Sequence, residues 1–169
     1  PLPEEEDLWQ EVEVDTWTGK LASSYCSEFV TTRLALRIDD PWGVKWVKKT
    51  SQGKQWAKEM GFSKNAFLLP EEECERGDSR PLLEISSPRD GDVITSSPLK
   101  IFGRVDATGD FKRYQLEFGR GQEPVQWEVL QELQNPIGEE GEIFSWDIEE
   151  MEPGIITFRF LMESTLHGW

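Results

Sequence analysis

Val12 and Val14 alternate with Glu11, Glu13 and Asp15. Successive side chains of a strand point to opposite faces, so this alternation predicts a half-buried β-strand. Thr18, Gly19 and Lys20 predict a turn after it, because glycine reaches positive φ without steric penalty. Leu21 and Ala22 lead out of that turn, and Cys26 closes the segment. A second alternation covers residues 32–39, with Leu34, Leu36 and Ile38 on one face and Arg33 and Arg37 on the other. Asp40, Pro41, Trp42 and Gly43 are expected to stop this strand, since proline cannot donate to a ladder. Residues 51–61 predict a short helix, with Ser51 as N-cap, Trp56 and Met60 four apart, and Gly61 just past the end. A helix of that length is marginal alone, so Trp56 is expected to pack on the strand pair.

Residues 71–81 form a polar, turn-rich run and are expected to link two domains, with the boundary near Arg80. Residues 1–80 then hold a small part built of strands and a short helix. Residues 81–169 read as strands throughout. Leu83 and Ile85 open the series. Leu99, Ile101 and Val105 follow, then Tyr114, Leu116 and Phe118, then Val125, Trp127 and Val129. After an acidic loop near residues 136–141 come Phe144, Trp146 and Ile148, and last Ile156, Phe158, Phe160 and Met162. Short strands with Gly and Pro between them predict a mainly β protein whose second part is an immunoglobulin-like β-sandwich. The Cys…Trp…Cys signature of true immunoglobulin domains is missing, so the likeness is one of architecture. Trp127 and Trp146, on strands, are expected in the core.

Composition sharpens this picture. Only 37% of residues are apolar, yet 8 are Trp and 9 are Phe, so the core must rest on a few bulky side chains. The formal net charge is −15. Such a surface repels phosphate backbones and anionic lipid, so neither nucleic acid nor an acidic membrane is expected as a partner. Residues 1–80 carry 16 acidic and 11 basic side chains, or −5, and residues 81–169 carry 17 and 7, or −10. No run of 18 apolar residues predicts a membrane span. No signal peptide is read at the start, and Pro1 is not a native start. The expectation is therefore an excised or processed piece of a longer chain, with residues 1–7 a mobile lead-in. Cys26 and Cys74 permit one bridge or two free thiols.

The strand at residues 11–15, the run Thr18, Gly19, Lys20, Leu21, Ala22 and the following Cys26 resemble a segment just after the transpeptidase domain of class A penicillin-binding proteins. These are the membrane-anchored bifunctional synthases of bacterial peptidoglycan. The phrase from Ser87 to Ile94, leading to Ile101, Phe102, Gly103, Arg104 and Val105, is similar to the start of extracellular immunoglobulin-like modules of bacteria. Similar modules end some class A penicillin-binding proteins. The resemblance is specific over residues 12–26 and looser over 27–80, and beyond residue 80 it rests on that phrase and the strand pattern. It implies a non-catalytic C-terminal accessory region that acts in cell-wall synthesis outside the cytoplasmic membrane. The parent would polymerise lipid-linked disaccharide and crosslink stem peptides. This region would position, brace or regulate it by contacting peptidoglycan, a cell-wall protein or the parent's catalytic domain. Similar proteins often carry a second cysteine after a proline and acidic residues, as at Pro70 to Cys74. The resemblance thus implies a Cys26–Cys74 disulfide, which would stabilise the fold by roughly 2–4 kcal/mol. A carbohydrate- or protein-binding module of another exported bacterial protein is the alternative.

The enzyme motifs of that family are not assembled in the sequence. Ser51 with Lys54, and Ser97 with Lys100, fit Ser-x-x-Lys, and Ser63 with Asn65 fits Ser-x-Asn. Patterns this short recur by chance, Lys-Thr/Ser-Gly is absent, and Asn65 follows Lys54 too closely for a large fold. His167 is the only histidine and lies three residues from the end, where a general base would be poorly held. No Cys/His spacing fits zinc, and no cofactor is expected. Asp39 with Asp40, Asp90 with Asp92, and Asp106 with Asp110 offer hard oxygen ligands near glycine turns, but none completes an EF-hand loop. Trp9, Trp17, Trp42 and Trp46 are the candidates for stacking on glycan, against the alternative that they are core.

Overall fold

The computed structural model describes residues 8–62 and 66–166. The lead-in at 1–7, Ser63, Asn65 and His167 lie outside the described residues. The chain is mainly β and divides into two compact units, Pro1–Gly77 and Asp78–Trp169. The division falls three residues before Arg80. The run expected as a linker is split by it: Glu73 bridges Leu21 within the first unit, and Pro81 already opens a strand of the second.

In the first unit, β1 (Trp9–Asp15) pairs antiparallel with β2 (Val30–Leu36), with Trp9 opposite Leu36 and Asp15 opposite Val30. Both faces of this pair are covered. Leu36 and Trp9 pack with Val47, Ala57, Trp46, Trp56 and Phe62, while Val12, Val14 and Ala35 pack with Leu21, Phe67 and Leu69. The second strand therefore departs from its expected alternation. It ends at Leu36, and Ala35 and Leu36 are both buried. Leu34 shares the Leu36 face but sits opposite Glu11 and is 45% exposed.

Residues expected to stop β2 instead begin a helix, α1 (Pro41–Lys49). Asp40 is its N-cap, its Oδ1 accepting from the Gly43 N–H at 2.7 Å, and Pro41 occupies the first turn, where an N–H would go unused. The second helix, α2 (Ser51–Glu59), takes Thr50 rather than Ser51 as its N-cap; Thr50 Oγ1 accepts from the Gly53 N–H at 3.0 Å. Thr50 both ends α1 and starts α2, so the helices cross closely. A Cβ on Gly53 would fall 2.2 Å from the Trp46 carbonyl oxygen. Trp56 packs against Trp9 at 5.8 Å between ring centroids, as the sequence predicts, but Met60 is 47% exposed.

The second unit has two three-stranded antiparallel sheets. One joins β3 (Pro81–Ser87), β4 (Leu99–Ala107) and β7 (Ile137–Trp146) in the order β3-β4-β7. The other joins β6 (Glu128–Leu133), β5 (Phe111–Arg120) and β8 (Ile156–Ser164) in the order β6-β5-β8. Ile101 and Val105 from the first sheet and Tyr114 and Leu116 from the second meet with Ile143 in one buried cluster. This is the sandwich core, and alternate residues of each central strand supply it. Trp146 packs on Phe118 at 4.5 Å and Phe158 at 6.0 Å.

Three expectations for this unit need correction. Val125 precedes β6 and is 96% exposed, because the chain turns between residues 121 and 127. The acidic stretch near residues 136–141 belongs to β7, its carboxylates on the solvent side, and Ile148 lies past that strand's end. Trp127 is not core: its ring covers the Arg159 guanidinium at 4.0 Å.

Two substitutions test this packing. Gly53→Ala should destabilise the first unit by about 2 kcal/mol, because backbone cannot retreat from the new methyl at the helix crossing. Tyr114 is fully buried and its hydroxyl has no hydrogen-bond partner among the described residues. Tyr114→Phe removes that unpaired group and should be neutral or stabilising by up to about 1 kcal/mol, read by urea unfolding.

Candidate functional site

The turn after β1 is held by a set of side-chain and backbone hydrogen bonds. Asp15 is buried at the strand's end, and its Oδ2 accepts from both the N–H of Thr18 at 2.8 Å and its Oγ1 at 2.6 Å. The Gly19 N–H donates to the Asp15 carbonyl at 2.8 Å, and Gly19 has φ 72°, which glycine adopts freely. The Asp15 N–H donates to the Lys20 carbonyl at 3.0 Å and closes the turn. Trp17, inside it, is buried.

Leu21 then lies between two backbones. It bridges Val14 antiparallel and Glu73 parallel; its N–H donates to the Glu72 carbonyl and its carbonyl accepts from the Cys74 N–H. Lys20 Nζ pairs with Glu72 at 3.1 Å. Cys26 and Cys74 are joined in a disulfide across 48 residues, and both are buried. Asp15, Cys26 and Cys74 cluster closely enough to resemble a metal set, but the two sulfurs are bonded to each other. The site is thus a closed knot rather than a cleft.

The four glycan candidates separate cleanly. Trp17 is buried in the knot, and Trp9 and Trp46 are half-buried in the stack with Trp56. Trp42 alone of the four stands out, 72% exposed. Lys45 and Lys49 share its side of α1 by helical spacing, and both are exposed.

The chemistry-bearing motifs are occupied elsewhere. Ser97 Oγ donates to Asp147 Oδ1 at 2.7 Å and accepts from the Ile148 N–H, while Lys100 pairs with Glu142 at 2.8 Å. Lys100 therefore does not serve Ser97 as a base. Ser51 Oγ donates to Gln52 Oε1 at 3.4 Å. Five of the six aspartates weighed for calcium hold backbone or side chains. Asp40 caps α1, Asp92 Oδ2 accepts from the Arg89 N–H at 2.8 Å, and Asp110 Oδ2 accepts from Ser79 Oγ at 2.6 Å. Asp39 pairs with Arg37, and Asp106 with Arg104.

An ion ladder on the outer face of β5 and β8 escaped the sequence reading. Glu163 is buried and accepts from Lys112 and Arg113, Arg113 also reaches Glu132, and Arg159 donates to the buried Glu117. The signal was present as alternating charges on two strands, but their pairing needs the register Arg113 opposite Glu163 and Glu117 opposite Arg159. Hydrogen bonds from Lys112 and then Arg113 hold the Glu163 carboxyl below its ordinary value of 4.5. The Ser97 hydroxyl and then the Glu149 N–H do the same for Asp147. Burial pushes the Tyr114 hydroxyl up. All three shifts move away from neutrality, opposite to what a general acid or base at pH 7 requires. A surface depression lined by Arg120, Asp147, Glu149, Glu150 and Met151 is open and acidic.

No protein-family model, no curated protein and no solved structure matches the chain. The disulfide suits an oxidising compartment, and no helix among the described residues is long and apolar enough to cross a membrane.

Two outcomes follow from these bonds. Asp15→Ala strands two buried donors of Thr18 and should destabilise the first unit by about 2 kcal/mol in chemical unfolding. Glu163 titrates lower folded than unfolded, so its contribution is complete above the ordinary glutamate range. That contribution is lost as pH falls through the depressed folded value. The gap in melting temperature between the wild type and Glu163→Gln should therefore be full at pH 7 and close at acid pH.

Proposed function

We propose that this chain is the non-catalytic C-terminal accessory region of a class A penicillin-binding protein, acting in peptidoglycan synthesis on the outer face of the bacterial cytoplasmic membrane. It positions or braces the parent enzyme by contacting the wall, a wall protein or the parent's own catalytic domain. The observation that carries the reading is the knot at residues 12–26 and 72–74. The residues that resemble the family's post-transpeptidase segment are the ones that Asp15, Leu21 and the Cys26–Cys74 bridge fix in place. A folded, disulfide-closed collar after a catalytic domain is what such a segment needs to be. The reading rests on that resemblance.

The alternative, a carbohydrate- or protein-binding module of another exported protein, is favoured by one observation: the exposed Trp42 beside Lys45 and Lys49. An aromatic face stacks on sugar rings, and lysines attract the carboxylates of acidic glycans.

Co-sedimentation of the purified, non-reduced chain with isolated bacterial sacculi, at low and high salt, tests the proposal. Wall contact predicts pelleting that survives high salt and falls several-fold in Trp42→Ala. Pelleting that is absent at both salts moves the contact to protein. Peptidoglycan cleavage or crosslinking by the chain alone would overturn the non-catalytic reading.

A further inference from the structure

Sheet edges are templates for pairing, and natural sandwiches blunt them. Three of the four edges in the second unit are blunted. β3 begins at Pro81 and breaks register between Ile85 and Ser87. β6 has only six residues, half of them polar, and its ladder shifts between Leu116 and Glu117. β7 shifts register twice and carries Glu139, Glu140 and Glu142. β8 is different. It runs nine residues, has no proline or glycine, and keeps unbroken register with β5 from Arg113 to Arg120. Among the described residues no strand or bridge pairs with its other side.

We propose that the free edge of β8 receives β8 of a second copy of this chain, antiparallel, about a two-fold axis at Leu161. The sequence of β8 is self-complementary in that register. Phe160 falls opposite Met162 on the core-facing side, where both already pack against the sandwich core. On the outer side Leu161 meets Leu161, and Arg159 falls opposite Glu163. Arg159 uses Nε on Glu117, and a guanidinium has further donors to offer the copy's Glu163. The two-fold thus extends the outer ion ladder from one sheet into the next and makes a continuous six-stranded sheet, a closed isologous contact. This inference does not depend on the wall-synthase reading.

The net charge of −15 opposes the contact, so the dimer should tighten as salt rises and screens the repulsion. Only Leu161 faces its own counterpart in this register. Leu161→Glu and Leu161→Lys each place like charges across the axis, and an equimolar mixture places opposite ones there. Sedimentation equilibrium on the full 169-residue chain reads all four samples, with near-UV circular dichroism showing that each variant is folded. The expected result is a wild-type dimer at high salt, about 10-fold weaker association in each variant alone, and recovery in the mixture. A wild-type monomer at high protein and high salt overturns the proposal. So do variants that dimerise like the wild type, or a mixture that fails to recover.

Discussion

The first unit depends on Leu21 being held between the end of β1 and the segment that leads to Cys74. That segment has little apolar surface of its own, and its chain neighbours are glutamates. Backbone bonds on both sides of Leu21, the Asp15-capped turn and the Cys26–Cys74 bridge together place it. Small units with modest cores need such staples. By loop length alone, a bridge across 48 residues stabilises by roughly 4 kcal/mol. Apart from Trp17 in the turn, the other buried apolar residues of this unit are small, Val12, Val14, Ala35, Val47, Ala57 and Ala66, with Leu36 the one larger aliphatic. The stacked Trp9, Trp46 and Trp56 supply the remaining bulk.

The second unit solves a different problem, which is to fold a strongly acidic chain. Its core is conventional, but two of its glutamates, Glu117 and Glu163, are buried on the outer face of the β6-β5-β8 sheet. They tolerate this because Arg159, Arg113 and Lys112 lie over them, and Trp127 covers Arg159 in turn. Buried carboxylates are stable only when paired. The cations of this unit are thus largely committed to its own sheets, while Lys45 and Lys49 on α1 remain exposed beside Trp42.

Much of this was legible in the residues. Period-two alternation located β1, β4, β5 and β8, and the turn at Gly19 was readable from its glycine. The failures have local causes. Asp40 and Pro41 suit a strand stop, but the same pair caps and opens a helix, and period alone does not say which. Leu34 obeys the alternation yet lies beyond the cover of the helix pair, and no local pattern reports where cover ends. The acidic stretch read as a loop is a strand with a solvated face, since glutamate is disfavoured in strands but not excluded by an exposed edge. Burial of Trp17 and exposure of Trp42 follow from the knot and the α1 surface, neither of which is visible in spacing.

We propose above that this region belongs to a penicillin-acylated synthase. An antibody raised against the folded chain can recover the native polypeptide that carries it from envelope extracts, after incubation with a fluorescent β-lactam. The expected result is a labelled polypeptide far longer than 169 residues, with the label competed away by unlabelled penicillin. A recovered polypeptide that carries this chain and takes no label would contradict it.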